Sequence, residues 1–251
     1  MHMTIDLTTA ILNASDTIVG DADGNAIAAT SQATFIDALA GDDVVTGGAG
    51  DDAISAGTGN DTVLASSGND VYIGGTGFDT LDFSNANSGL NIDISKGTAI
   101  GTGSTTSFDS FERVVGSSFA DIIKGSDQVD VIDGGAGNDL IRSKAGADIL
   151  TGGEGHDTYQ FMKKDVMLNG VHQGVDTITD FSGSDTIDLH DFFKGRVTDI
   201  NDAIHLTDTA DGTLISAKLD GAYVNVALLQ GQHIPAETTV QALASDGLFI
   251  V

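Results

Sequence analysis

Apolar side chains recur every nine residues along much of this chain, and an aspartate stands two residues before most of them. Between residues 47 and 82 the apolar positions are Ile54, Val63, Tyr72 and Leu81, and the aspartates are Asp52, Asp61, Asp70 and Asp79. Written as one nonad, the pattern is G-G-x-G-x-D-x-U-x, where U is apolar. Self-similarity at a fixed period indicates a repeat architecture whose unit is the nonad.

The apolar position extends further toward the N-terminus than the aspartate does. Eight nonads run in register from residue 11 to residue 82. The sixth positions of the first four are Asp16, Asn25, Thr34 and Asp43, and their apolar positions are Ile18, Ile27, Ile36 and Val45. We interpret this as a core that persists where metal ligation fades.

A second run of nonads begins at residue 107 in a new register. Its sixth positions are Glu112, Asp121, Asp130, Asp139, Asp148 and Asp157, and a final pair follows at Asp176 and Asp185. The apolar partners from 123 onward are Ile123, Ile132, Ile141, Leu150 and Tyr159. We therefore predict a first repeat block over 1–82, a linker strand and loop over 83–106, a second block over 107–190 and a C-terminal cap over 191–251.

One nonad predicts a tight turn followed by a very short strand. The x-U-x triplet alternates, so U points to one face and its neighbours point to the other. Two nonads then make one coil of a flattened right-handed spiral, and residues eighteen apart stack about 4.8 Å from each other, as in any parallel ladder. The predicted fold class is all-β, with a thin apolar core between two walls of parallel strands.

The segments outside the nonads predict a few further elements. LNIDIS alternates like a strand, whereas KGTAIGTGSTT (96–106) is typical of a loop. Residues 211–231 predict two strands joined at Asp220-Gly221, and IPAETTVQALASDG predicts a short helix with Pro235 near its start. The terminal LFIV is compatible with an edge strand that caps the coils.

Charge narrows the choice of partners. The net charge is -27, from 37 acidic residues against 10 basic ones, and 34 of the acids are aspartate. A nucleic-acid partner is excluded, because phosphate contacts need basic groups. Such acidity alone is typical of a solvated chain, but the 40% hydrophobic content at a strict period favours a folded one. There is no cysteine, no visible signal peptide and no stretch long enough to span a bilayer.

The aligned aspartates predict calcium binding. Two carboxylates about 4.8 Å apart repel by about 0.9 kcal/mol in water and by about 3.5 kcal/mol at an effective dielectric near 20. A calcium ion between the two carboxylates turns this repulsion into a net attraction, since calcium takes six to eight oxygen ligands from carboxylates and carbonyls. The alternative is a metal-free acidic solenoid. The predicted ligands are Asp43, Asp52, Asp61, Asp70, Asp79, Asp121, Asp130, Asp139, Asp148, Asp157, Asp176 and Asp185, with the turn glycines Gly47, Gly48, Gly134, Gly135, Gly152 and Gly153.

Ions are expected to bridge aspartates eighteen residues apart. The predicted pairs are Asp43–Asp61, Asp61–Asp79, Asp52–Asp70, Asp121–Asp139, Asp130–Asp148 and Asp139–Asp157. His156 occupies the variable fifth position of its nonad, where a solvent-facing side chain is expected rather than a ligand.

The nonads GGAGDDAIS, GGAGNDLIR and GGEGHDTYQ resemble those of the repeats-in-toxin (RTX) family. The resemblance implies a parallel β-roll with calcium between its turns, here in two stacked blocks with a small C-terminal β-rich cap. It also implies leaderless type I export from a Gram-negative bacterium through an uncleaved C-terminal signal, and folding outside the cell. GVDTITDFSGSDTIDLHDF and the tail at Asp246 and 248–251 resemble the end of such regions.

Sequence signatures of enzymes are absent: there is no HExxH and no G-x-S-x-G. We therefore predict no enzymatic activity. Three functions stay open: a secreted calcium-binding module that contacts a cell surface or an extracellular polysaccharide, the C-terminal module of a larger exported enzyme or adhesin, and an unrecognised enzyme.

Overall fold

The computed structural model describes residues 14–30, 32–168, 171–193, 199–235, 238, 240–245, 247, 249 and 250. The chain divides into two compact units, Met1–Ile123 and Lys124–Val251. Residues 107–123 of the predicted second block lie in the first unit, and the predicted domain boundaries stay predictions. Within the described residues, no helix is long and apolar enough to cross a membrane.

Within its described residues, the first unit consists of short strands and one 3-10 helix, Ile94–Lys96. Its strands are β1 (Asp16–Val19), β2 (Ala26–Ala28), β3 (Thr34–Asp37), β4 (Val44–Thr46), β5 (Ala53–Thr58), β6 (Thr62–Leu64), β7 (Val71–Thr76), β8 (Thr80–Asp82), β9 (Asn91–Asp93), β10 (Thr98–Ile100), β11 (Thr105–Asp109) and β12 (Arg113–Val115). Each nonad from 11 to 82 supplies one strand at its last positions, as the pattern predicts.

Successive strands of the first unit alternate between two sheets. One sheet has the order β1-β3-β5-β7-β11-β10-β9 and the other β2-β4-β6-β8-β12. From β1 to β8 the pairing is parallel with residues eighteen apart opposite each other, for example Ile36 with Ile54 and Ile54 with Tyr72. The apolar position is fully buried from Ile36 onward, whereas Ile18 and Ile27 are half-buried. The predicted coil of two nonads is confirmed.

The predicted loop over 96–106 is wrong. Strands β9, β10 and β11 form an antiparallel meander in which Ile92 lies opposite Ala99 and Ala99 opposite Thr106. The three side chains are buried, and alternate burial of this kind stabilises strands even where glycine is frequent. The meander returns the chain to β7, so that Phe108 pairs with Tyr72 in parallel.

The second unit continues the nonads and adds four short helices in the part of it that the structure describes. Strand β13 (Ile122–Lys124) crosses the division; the others are β14 (Val131–Asp133), β15 (Leu140–Arg142), β16 (Ile149–Thr151), β17 (Thr158–Gln160), β18 (Met167–Leu168), β19 (Val171–His172), β20 (Asp176–Ile178), β21 (Thr186–Asp188), β22 (Ile204–Thr209), β23 (Gly212–Leu219), β24 (Ala222–Gln230) and β25 (Phe249–Ile250). The helices are α1 (Lys163–Val166), α2 (His190–Phe193), α3 (Ile200–Ala203) and α4 (Val240–Ser245).

Coils in the second unit have two lengths. Strands β14 and β16 pair at a spacing of eighteen, as do β15 and β17. Strands β16 and β20 pair at a spacing of twenty-eight, with Leu150 opposite Ile178. The longer coil accommodates α1 and the β18–β19 hairpin, and the Arg142 guanidinium contacts the Asp165 carboxylate of α1 at 2.6 Å.

The C-terminal part of the second unit is the predicted β-rich segment. Strands β22, β23 and β24 are antiparallel, and β24 pairs in parallel with β20. Asp220 and Gly221 join β23 to β24 with φ values of 49° and 91°, as in a type I′ turn. Strand β25 pairs in parallel with β21, the contact expected of an edge strand. Helix α4 lies within the segment predicted as helical; Asp246, Leu248 and Val251 lie outside the described residues.

Candidate metal centre

In the nonads that begin with Gly47, Gly134 and Gly152, the aspartate is folded back over the first residue of its own nonad. A Cβ at Gly47 would contact the Asp52 carboxylate, and one at Gly134 would come within 2.5 Å of the Asp139 Oδ2. Gly152 stands in the same relation to Asp157. Glycine at the first position therefore leaves room for the carboxylate.

Glycine is also required where successive coils meet. A Cβ at Gly59, Gly77 or Gly155 would overlap the carbonyl of the residue eighteen positions earlier. The φ values of these three glycines lie between 133° and 143°, a conformation that other residues resist. The turns therefore bring main-chain carbonyls close to the next coil, beside the aspartates.

At many nonads, one carboxylate oxygen of the aspartate ties two coils together. The Asp43 amide donates to Asp61 Oδ1 at 2.8 Å, and the Asp61 amide donates to Asp79 Oδ1 at 2.9 Å. The same bond joins Asp52 to Asp70, Asp130 to Asp148, Asp139 to Asp157, Asp148 to Asp176 and Asp157 to Asp185, at 2.9 to 3.0 Å. It persists where the earlier aspartate is replaced, since the Thr34 amide donates to Asp52 at 2.8 Å.

These bonds modify the predicted pairs. Sequence analysis places carboxylate against carboxylate, but within these pairs the carboxylate of the later aspartate accepts the main-chain amide of the earlier one. The Asp79 amide donates to Glu112 at 2.8 Å, so Glu112 takes the place of the next aspartate after the meander. The pair Asp121–Asp139 involves both units and stays a prediction.

The second oxygen is buried without a protein hydrogen-bond partner at several nonads. This holds for Oδ2 of Asp43, Asp52, Asp61, Asp79, Asp148 and Asp157. These residues are no more than 1% exposed. An unpartnered buried carboxylate oxygen costs several times what a normal hydrogen bond contributes, so each position favours an added cation or proton.

At five other predicted ligands the chain itself supplies a donor to Oδ2. The donors are the Tyr72 hydroxyl to Asp70 (2.6 Å), the Ser117 amide to Asp121 (2.6 Å), the Ser126 amide to Asp130 (2.6 Å), the Ser143 hydroxyl to Asp176 (2.6 Å) and the Ser182 amide to Asp185 (2.7 Å). The sequence pattern alone does not separate these aspartates from the previous set.

Burial raises the pKa of three of these carboxyls, those of Asp52, Asp79 and Asp148, far above the usual value for aspartate. The pKa of Asp52 is raised to about 7 and that of Asp79 to about 6, mainly by burial. The pKa of Asp148 is raised to about 8 by burial and, secondarily, by the nearby Asp176. Without a cation, these groups hold protons close to neutral pH.

The residues present fit calcium. Within the described residues, no three His, Cys, Asp or Glu side chains converge as a metal-binding group. A bound ion would therefore combine a lone carboxylate oxygen with main-chain carbonyls of the glycine turns, the mixed oxygen set that calcium accepts. Softer metals that prefer nitrogen or sulfur ligands do not fit this site.

Two features of the site are not apparent from the nonad pattern. Fifth-position Asp and Asn side chains form a second ladder: Asp42, Asp51 and Asn60 accept amides from eighteen residues later at 2.7 to 2.9 Å. The repeated Asp or Asn at the fifth position of these nonads is the sequence feature from which this ladder could have been predicted. His156 is exposed there, and its amide donates to Asn138 at 3.0 Å.

Asp180 is the second unexpected group. Its carboxylate accepts the amides of Gly152 and Gly153 at 3.0 and 2.8 Å, and the Tyr159 hydroxyl at 3.0 Å. Two predicted turn glycines therefore bind a side chain of the chain itself through their amides.

Known proteins share the repeats of this chain. The RTX calcium-binding nonapeptide repeat matches in four copies, at residues 28–63, 46–81, 108–141 and 137–159. No curated protein matches this sequence. A solution structure of a subunit of the mannuronan C5-epimerase from Azotobacter vinelandii is similar, with 28% identity over 51% of this chain and 80% of that subunit and a TM-score of 0.37.

The extracellular lipase of Serratia marcescens is also similar. The likeness has 16% identity and a TM-score of 0.27, and it covers 94% of this chain and 39% of the lipase. Because both TM-scores are low, we draw nothing about function from either structure.

Proposed function

We propose that this chain, which carries RTX calcium-binding nonapeptide repeats, is an exported β-roll module whose coils close when calcium reaches the turns. The observation that carries the proposal is the set of buried Oδ2 atoms without a protein partner, among them those of Asp43, Asp61 and Asp79. These three residues lie one coil apart, and the main-chain amide of each donates a hydrogen bond to the carboxylate of the next.

Aspartates eighteen residues apart form a column along the stacked coils. Calcium supplies the positive charge that balances the carboxylates of such a column. Within a column, each carboxylate places one oxygen on the neighbouring coil, and the other oxygen would hold the ion with carbonyls of the glycine turns. Since such a site does not exist in the unfolded chain, its binding free energy contributes directly to folding. Low calcium keeps the chain open by charge repulsion, and high calcium folds it.

Circular dichroism tests the calcium-dependent folding. We expect β-sheet signal to appear when millimolar CaCl2 is added to the chelated protein and to disappear again with excess EDTA. MgCl2 at the same concentration serves as the control, because magnesium dehydrates reluctantly and demands octahedral geometry. A β-sheet signal unchanged by EDTA would refute the proposal.

Export through a type I system is a separate part of the proposal. It is supported by the RTX repeats and by the tail at 248–251. Deleting residues 248–251 is expected to block export and to leave calcium binding intact. Normal secretion of the shortened chain would refute the role of the tail.

The module acts either alone, against a cell surface or an extracellular polysaccharide, or as part of a larger exported enzyme or adhesin. Mass spectrometry of the protein secreted by its native cells distinguishes the two, since a mass near 25.6 kDa is expected only for the first.

A further inference from the structure

The nonad aspartates fall into two classes according to the backbone of the turn before them. Where Oδ2 has no protein partner, the second residue of the nonad has a positive φ in every case. These second residues are Leu39 (77°), Gly48 (90°), Gly57 (116°), Gly75 (119°), Lys144 (74°) and Gly153 (96°). Gly135, in the nonad of Asp139, has the same conformation with φ 96°.

The second class has a different turn. The second residues are Ser66, Ser117, Ser126, His172 and Phe181, and none of them has a positive φ. The amides of Ser117 and Ser126 point inward and donate to the carboxylate four residues later. The Ser66 amide donates to the Tyr72 hydroxyl at 3.2 Å, and that hydroxyl donates to Asp70.

The first kind of turn is not just a consequence of glycine. Leu39 and Lys144 adopt the left-handed conformation although each carries a Cβ, which costs about 1–2 kcal/mol. Strain of this kind persists where surrounding structure imposes it, often at ligand clamps. Both residues precede an aspartate with an unpartnered buried oxygen, Asp43 and Asp148.

We propose that calcium binds at the turns with a left-handed second residue and not at the others, where donors of the chain replace the ion. On this view Asp43 and Asp148 belong to calcium sites although their nonads lack the double glycine. Asp70 does not, because the Tyr72 hydroxyl occupies its second oxygen. The inference rests on the proposed function and specifies which of the twelve predicted aspartates perform it.

Two isosteric substitutions test the assignment. Asp61→Asn and Asp70→Asn alter the same position in adjacent nonads, and each Asn keeps an oxygen for the amide of the preceding coil. Calcium ions per chain are counted by equilibrium dialysis against CaCl2 and elemental mass spectrometry, with circular dichroism to verify folding. Asp61→Asn is expected to lose at least one ion, whereas Asp70→Asn keeps the wild-type number.

The turn conformation is tested at Ser126. Ser126→Gly permits a positive φ and is expected to release Asp130 and gain one ion per chain. Ser126→Ala removes the same hydroxyl without permitting that conformation, so its count should equal that of the wild type. Equal counts for the two Ser126 variants, or an equal loss in both Asn variants, would overturn the inference. A wild-type protein that binds no calcium would instead overturn the proposed function, and the inference with it.

Discussion

At the scale of single residues, the two oxygens of one aspartate carboxylate have different roles. Asp52 accepts the Thr34 amide through Oδ1 at 2.8 Å and leaves Oδ2 buried without a protein partner. The hydrogen bond to Oδ1 joins two coils whether or not a metal is present. The stability of this contact depends on a cation or a proton, because Oδ2 is buried and needs one of them as a partner. Asparagine at this position would keep the first role and lose the second.

Gly47→Ala tests the space reserved for this carboxylate. The new Cβ would meet the Asp52 side chain, and overpacking of this kind costs about 1–3 kcal/mol. We expect weaker calcium binding by titration calorimetry and a lower urea midpoint in saturating calcium. Gly183→Ala is the control, because nothing lies within 4 Å of its Cβ, and its effect is expected to stay within about 0.5 kcal/mol. Equal effects of the two substitutions would contradict the geometry.

Protons and calcium compete for the same oxygens. In the folded, calcium-free chain the pKa values of Asp52, Asp79 and Asp148 are raised to about 7, 6 and 8, from 3.8. Between pH 3.8 and about 8 the folded state therefore binds more protons than the unfolded state, so its stability falls as pH rises through this window.

The calcium-free protein should accordingly show more β-sheet signal at pH 5 than at pH 8. The measurement is circular dichroism in EDTA across that range. Asp148→Asn, which cannot titrate, should flatten the dependence, while Asp211→Asn, at an exposed turn, serves as its control. A calcium-free chain that gains structure toward pH 8 would contradict these pKa directions.

At the scale of the elements, the turn decides more than the strand. The strands of the nonads are three to six residues long and differ little from coil to coil. The turns differ in the φ of their second residue, and with it in the donor available to the aspartate. Variation among the repeats therefore lies in the loops, where binding residues are commonly placed.

Lys144→Gly tests the strain in one turn. Lys144 has a φ of 74°, and glycine adopts this conformation without the cost of a Cβ. The calcium-bound protein should gain about 1 kcal/mol of unfolding free energy in urea. Lys144→Ala removes the charge but keeps a Cβ, so we expect no such gain. If both substitutions stabilise equally, strain is not the cause.

At the scale of the whole molecule, charge and core work against each other. A net charge of -27 opposes compaction, and each coil contributes only a thin apolar layer. Monovalent salt screens this repulsion over roughly 10 Å at 0.1 M, but it does not satisfy the buried carboxylate oxygens. Calcium does both.

Calcium and potassium should therefore differ at equal ionic strength. In EDTA the chain is expected to keep an expanded hydrodynamic radius when KCl is added, and to contract when CaCl2 replaces the KCl. Dynamic light scattering or analytical ultracentrifugation measures the change. Contraction by KCl to the same radius would show that screening alone suffices.

The coil and its apolar core could be predicted from the repeat pattern alone. The period of nine in Ile54, Val63 and Leu81 becomes the period of the structure, because each nonad places one apolar side chain in the core, alternately from one sheet and from the other. Aspartate and glycine also recur at fixed positions of the nonad, and they predict hard oxygen ligands in the turns. A periodic structure can be predicted from a periodic sequence, because every repeat makes the same kind of contacts with its neighbours.

The features that depart from the nine-residue period could not be predicted from the sequence and became visible in the folded chain. The meander of β9 to β11, the twenty-eight-residue coil and the glycine turn bound by Asp180 depend on contacts between segments that do not repeat. Which aspartate oxygens stay open depends on the φ of a neighbouring residue and on single donors such as the Tyr72 hydroxyl. Tyr72 fills an apolar position of the pattern, and its contact with Asp70 follows from where the folded backbone directs its ring, which residue type and spacing do not specify.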